Sequence, residues 1–177
     1  KDNTEFTFKI RKGVTYSDGS RLDAANVKKN YDLYALGDED RMLTPSGQLP
    51  NYEKSEVIDD YTVKFYFSEP SPGFPQSTSV MNQGLLSNTT LDLDDTGFAP
   101  GNATAIAGSG PFVIEEEELG TKLVLKKREE YDWAPPARKD HQGPADIEGI
   151  NIVLAAEDSV RVGSLVAGQS DIARQIE

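Results

Sequence analysis

The 177-residue chain contains no cysteine, which removes disulfides, thiol nucleophiles and Cys-based zinc sites together. It has one histidine, His141, set in a stretch with Pro and Gly and no second His or Cys beside it. Neither a transition-metal site nor a Ser-His-Asp triad is expected on it, and it reads as a surface residue. No apolar run approaches the roughly 18 residues that a membrane-spanning helix needs. Basic residues are scarce, 18 Lys and Arg against 30 Asp and Glu, for a net charge of -12. Such a charge repels nucleic acid and anionic membrane surfaces, so no nucleic-acid partner is expected. The imbalance is concentrated in residues 41–120, where Arg41, Lys54 and Lys64 face twelve carboxylates. That stretch reads as a well-solvated acidic surface.

What is present is ordered local patterning. Phe6, Phe8 and Ile10 alternate with Thr7, Lys9 and Arg11, a period of two that predicts a half-buried strand. Gly13 and the Asp18-Gly19 pair supply the positive backbone angles of two turns. Asp23 then stands where it would cap a helix carrying Val27, Tyr31 and Tyr34 as a narrow apolar stripe. Residues 37–52, rich in Gly, Asp, Pro and Ser, read as a surface loop. Val57 and Ile58 lead through the turn at Asp59-Asp60 to a strictly alternating strand over residues 61–67, with Val63, Phe65 and Phe67 on one face. Pro70, Pro72, Gly73 and Pro75 end it, which places a lobe boundary between about residues 70 and 90. Residues 86–107 read as a second loop. Residues 112–116 and 122–127, joined by a turn at Gly120, predict a hairpin. Residues 150–154 predict a further strand. Asp158 or Ser159 is the expected cap of a helix with Val160, Leu165 and Val166 that ends at Gly168, and Asp171-Ile172 opens one more extended segment. There is no internal repeat.

Catalytic and phosphate motifs fail on inspection. Around Ser109 the two Gly positions of Gly-x-Ser-x-Gly are Ala107 and Pro111, so no nucleophile elbow is formed. Asp92, Asp94, Thr96 and Gly97 fit positions 1, 3, 5 and 6 of a calcium loop, but position 12 is Ala103 where a bidentate Glu is needed. The run Glu115, Glu116, Glu117 and Glu118 alternates faces on a strand and cannot converge on one ion. Gly13, Gly19, Gly108 and Gly110 lack the spacing of a nucleotide loop. No cofactor and no metal is expected.

Residues 5–22, EFTFKIRKGVTYSDGSRL, resemble the opening signature of the extracellular solute-binding proteins of family 5, the peptide/nickel class that feeds ABC importers. That signature runs Phe-x-Leu-Arg-x-Gly-Val, an aromatic, Asp-Gly, then a helix near Ala-x-x-Val. The matching positions here are Phe8, Ile10, Arg11, Gly13, Val14, Tyr16, Asp18, Gly19, and Ala24 through to Val27 at 24–27. Three later landmarks follow in the family's order: residues 108–112 (GSGPF), 128–133 (REEYDW) and 164–172 (SLVAGQSDI). Two departures stand out, Glu129 where the family has Asn and an extra Asp132 between Tyr131 and Trp133.

The resemblance implies an α/β fold with α+β-like mixed sheets, of the periplasmic-binding-protein type II kind. It also implies that this chain is an internal fragment: the small inserted α/β domain over residues 1–80 and part of the first ligand-binding lobe over 81–177. Lys1 is not an initiator Met and a strand begins almost at once, as expected where upstream residues have been removed. The implied role is non-catalytic capture of peptides or similar solutes outside the membrane, extracellular or periplasmic. The full-length protein would be a cell-surface lipoprotein, and the partner would be the permease of the cognate bacterial importer. Ser79, Val80, Met81, Asn82 and Gln83 are the expected cleft wall, because they leave the inserted domain and enter the first lobe; the competing expectation is that Met81 is simply core. Strands left without ladder partners at residues 150–154 and 171–173 would make the fragment self-associate. The alternative reading is a structural or interaction module on the same fold, working through its acidic midsection.

Overall fold

A computed structural model describes residues 2–137, 140 and 142–175; His141 lies outside the described residues. The first sheet has the order β1-β3-β2, antiparallel throughout, from β1 (Glu5–Lys9), β2 (Tyr52–Asp59) and β3 (Thr62–Phe67). Phe6 lies opposite Phe65 and Phe8 opposite Val63, so the alternation seen in both segments is brought to one face. On β3 that face is Val63, Phe65 and Phe67, all buried. Residues 37–52, expected to be loop throughout, give up their last member to β2, which begins at the buried Tyr52. The apolar Val57 and Ile58 are exposed on the same strand.

Helix α1 (Ala24–Leu36) packs against β2 and β3 of this sheet. Asp23 has extended backbone angles and its carboxylate accepts from the Asn26 N–H at 3.0 Å, so it is the cap that its position predicted. Asp23→Ala is expected to cost about 1 kcal/mol, read as a lowered urea midpoint with an unchanged slope; an unmoved midpoint would show that the helix does not need this cap. The turns before the helix use Gly13 at φ +82° and Gly19 at φ +83°, a region closed to most side chains by Cβ clashes.

The aromatic layer between sheet and helix is joined by a residue from the Pro-rich stretch. In α2 (Phe74–Ser77), Phe74 is buried and its ring centroid lies 4.7 to 5.9 Å from those of Phe6, Phe8, Tyr31, Phe65 and Phe67. Most of these pairs meet edge to face, the arrangement that the ring quadrupoles favour.

The second sheet has the order β4-β5-β6, from β4 (Phe112–Glu118), β5 (Lys122–Lys127) and β6 (Gly149–Val153). The expected hairpin is present, with a bulge between Ile114 and Glu116. β6 is an edge strand, and Ile150, Ile152, Val153 and Leu154 along it are exposed. Helix α4 (Asp158–Val166) starts one residue earlier than expected: its cap is Glu157, whose side chain makes no capping bond. The extended segment expected at Asp171 and Ile172 forms no strand, because no strand among the described residues pairs with it.

The loop expected over 86–107 contains helix α3 (Asn88–Leu91), capped by Ser87, and a short 3-10 turn at Ala103–Ala105. Leu91 is fully buried there, so burial of one leucine and a serine cap outweigh a composition typical of loops. No helix among the described residues is long and apolar enough to cross a membrane.

Candidate functional site

The site is built on a support formed by α1 and the segment after residue 84. Asn26 and Asn30 stand one turn apart on α1 and are both buried. Asn30 Oδ1 accepts from the Leu86 N–H at 2.8 Å and its Nδ2 donates to the Leu86 C=O at 2.9 Å. One carboxamide thus satisfies both main-chain groups of one extended residue, as a neighbouring strand would. Asn26 Nδ2 donates to the same carbonyl at 3.0 Å, and Asn26 Oδ1 accepts from the Tyr16 hydroxyl at 2.5 Å. Burial, and behind it Tyr34, Asp23 and Asp18, push the Tyr16 phenol up. It therefore stays protonated and remains a donor to Asn26.

On its other side Leu86 bridges to Gly108, and the Ser87 N–H donates to the Ala107 C=O at 3.0 Å. The Gly108-Ser109-Gly110 element is in turn held by Arg128 and Trp133. Arg128 is 3% exposed and donates to the C=O and Oγ1 of Thr15 and to the C=O of Tyr16, each at 3.1 Å. Its guanidinium pairs with Glu130 at 2.8 Å and lies over the Trp133 ring. Trp133 Nε1 donates to the Ser109 C=O at 2.7 Å. Both departures from the family pattern, Glu129 and Asp132, leave this latch intact. Glu129 turns to Lys127 instead, at 3.3 Å.

The expected wall, residues 79–83, rises from this support as a run of tight turns. The Ser79 hydroxyl donates back to the Gln76 C=O at 2.7 Å, and Val80 N–H reaches the Ser77 C=O at 3.2 Å. A single 3-10 turn, Met81–Gln83, closes with Gln83 N–H to the Val80 C=O at 3.1 Å. The Gly84 carbonyl beyond it accepts from the Tyr34 hydroxyl at 2.5 Å. That phenol is pushed up to about 12, first by burial and then by Tyr31, so it too stays a donor. Ser79 and Asn82 are exposed, and so are the apolar Val80 at 41% and Met81 at 96%. Met81 is therefore not core. Gln83 is the exception in the set, buried at 4% exposure, with neither Oε1 nor Nε2 partnered among the described residues.

The other candidate chemistries dissolve into local structure. Asp94 accepts from Thr96 Oγ1 at 2.6 Å and from the Gly97 N–H at 2.9 Å, an Asx turn in place of a calcium loop. Those bonds hold its carboxyl below the usual carboxylate range, the Thr96 bond foremost. In the glutamate run, Glu115 and Glu116 pair with Lys126 and Lys122, and Glu117 accepts from the Gly101 and Ala103 N–H groups. No cluster of three or more metal-ligating side chains occurs among the described residues.

The profile of the bacterial extracellular solute-binding proteins, family 5 Middle, matches residues 1–177. The chain belongs to this family. Among family 5 relatives it is 28% identical to the probable D,D-dipeptide-binding periplasmic protein DdpA of Escherichia coli (strain K12), over 97% of this chain and 31% of that protein. It is 27% identical to the glutathione-binding protein GsiB of Salmonella paratyphi A, with the same coverage of each. The crystal structure of a nickel ABC transporter protein from Bacillus halodurans superposes with a TM-score of 0.72 at 25% identity, covering 96% of this chain and 31% of the other. The chain thus spans about 31% of the length of the relatives it matches. The fold is the mixed α/β arrangement of part of a type II periplasmic binding protein, as the motif order implied.

Sequence reasoning missed the polar half of this site. Asn26 and Asn30 sit at the helical spacing of Val27, Tyr31 and Tyr34. Counting them with the apolar stripe would have widened it to the face that is in fact buried.

Proposed function

We propose that this chain contributes one wall of the ligand cleft of a receptor for an ABC importer, capturing peptides or peptide-like solutes outside the bacterial cell without making or breaking bonds. Its partners are then the solute and the cognate permease, its location extracellular or periplasmic, and its full-length form a cell-surface lipoprotein. Residues 1–80 are the small inserted domain and 81–177 part of the first lobe. The two sheets fall on either side of that division, while the apolar cluster continues across it through Leu85, Ala107 and Trp133. The observation that carries the reading is the exposed Val80-Met81 pair on a segment anchored at both ends, by the Phe74 core on one side and by Asn30 on the other. Apolar side chains held out on a fixed support are what a closing lobe can cover with a ligand between. Two relatives named for a dipeptide and for glutathione, both amide-bearing solutes, favour peptides.

Calorimetry of the complete gene product against alanine peptides of two to five residues, with small-angle scattering, tests this. Micromolar or tighter binding with a fall in the radius of gyration is the expected result. Binding to a protein partner with none to peptides would instead favour an interaction module working through the acidic midsection. The 177 residues alone present one wall and the open β6 edge with its exposed Ile150, Ile152 and Val153. By themselves they are expected to bind peptide weakly and to self-associate in light scattering; a clean monomer with submicromolar affinity would overturn the one-wall reading.

A further inference from the structure

Of the three buried carboxamides among the described residues, Asn26 and Asn30 are matched and Gln83 is not. Asn26 and Asn30 are both buried and both bonded, and Asn30 shows what a carboxamide does here: its oxygen and nitrogen pair with the N–H and the C=O of the single extended residue Leu86. Gln83 carries the same group on a longer arm. It is 4% exposed, and its Oε1 and Nε2 have no partner among the described residues, although its own main-chain N–H is bonded to Val80. Buried polar atoms left unpaired are rare in folded proteins because they forfeit hydrogen bonds to water and gain none in return.

The turn that carries this group is short. The turn that contains it is held by the Val80, Gln83 and Gly84 N–H groups reaching carbonyls at 3.2, 3.1 and 3.2 Å, long bonds of 3-10 type. Gly84 follows directly, and the neighbouring Val80, Met81 and Asn82 are exposed. Gln83 gains two hydrogen bonds if a matching group reaches it.

We propose that Gln83 reads the main chain of an extended peptide ligand, accepting from the N–H and donating to the C=O of one ligand residue as Asn30 does with Leu86. This rests on the reading of residues 79–83 as a cleft wall for peptides. The chemistry is selective. An ionised carboxylate only accepts and cannot fill both atoms, whereas one residue of an extended strand presents N–H and C=O side by side on the same edge. Because the pairing uses only main-chain groups, it selects peptides without selecting their side chains.

The test uses the complete gene product, wild type and Gln83→Leu, titrated with alanine peptides of two to five residues. Tripeptides in which an ester oxygen replaces one N–H, at each position in turn, complete the set. Gln83→Leu is expected to weaken peptide binding about tenfold or more, while its melting temperature holds or rises because an unpaired buried amide has been removed. One ester position should weaken binding to the wild type by a similar factor and add no further loss in Gln83→Leu. Equal peptide affinity in the two proteins, or an ester penalty of the same size in both, would overturn the assignment while leaving peptide capture in place. A lowered melting temperature with unchanged affinity would likewise overturn it by making Gln83 structural. If the wild type binds none of the peptides, the cleft-wall reading falls and this assignment with it.

Discussion

Phe65→Ala is expected to cost the fold roughly 3 to 5 kcal/mol, the range for emptying a large aromatic site from a packed core. Phe65 is 2% exposed at the centre of β3, with ring contacts to Tyr31 at 4.9 Å, Phe74 at 5.1 Å and Phe8 at 5.6 Å. These come from a helix, a Pro-rich turn and a neighbouring strand, so three separate elements lose their common contact at once. The backbone around the ring cannot collapse into the gap, because Phe65 sits in the central strand and is laddered to β1 and β2 on both sides. Domains are stable by only about 5 to 15 kcal/mol, so the variant should melt well below the wild type or fail to accumulate in soluble form. At roughly 2 to 4 °C per kcal/mol for a chain of this size, calorimetry resolves the difference. A variant that loses less than about 1 kcal/mol would show that the sheet does not pack against α1 as described.

Arg128→Met is expected to rank next, at about 2 to 4 kcal/mol, for a different reason. The ion pair of Arg128 with Glu130, whose side chain is 62% exposed, contributes little by itself. Here, however, the acceptors are the main-chain carbonyls of Thr15 and Tyr16, which no substitution can remove. The Thr15 carbonyl stripped of its donor costs about 1 to 3 kcal/mol, whereas the Tyr16 carbonyl keeps the Gly19 N–H at 2.9 Å; the Thr15 hydroxyl bond, the Glu130 pairing and the Trp133 face contact are lost as well. Because Arg128 follows β5 directly and holds the turn that leads into α1, its loss should also loosen the second sheet from the first. Hydrogen exchange should then rise in β4 and β5 more than in β1 and β3. Lysine at this position supplies charge without the planar fork, so Arg128→Lys should recover less than half of the loss. A uniform rise in exchange across both sheets would show that Arg128 stabilises the whole fold and does not join its parts.

Both variants mark the limit of what local pattern encodes. Phe65 is legible because strand periodicity states which face is buried, and the same logic yields Phe6, Phe8, Val63, Phe67 and the hairpin of β4 and β5. The Asp23 cap is legible because its partner is three residues away. The order of short motifs carries the family. Arg128 could be read as a motif letter, but not as a buried residue, because its acceptors lie 112 and 113 positions earlier in the chain. Phe74 was hidden by its prolines: the composition that ends a strand says nothing about one aromatic turned back into the core.

The sequence by itself determined β1, β3 and the main helix of the first sheet, the hairpin and strand of the second, the turns and the family, but not β2. These follow from side-chain spacing and backbone stereochemistry within a few residues. Only the tertiary structure decided that Asn26, Asn30 and Gln83 are buried, that Met81 is not, and that Asp171 and Ile172 form no strand. The physical reason is the same in each case. A polar side chain is buried where distant main-chain groups need its hydrogen bonds, and an extended segment becomes a strand only where a neighbour offers it a ladder.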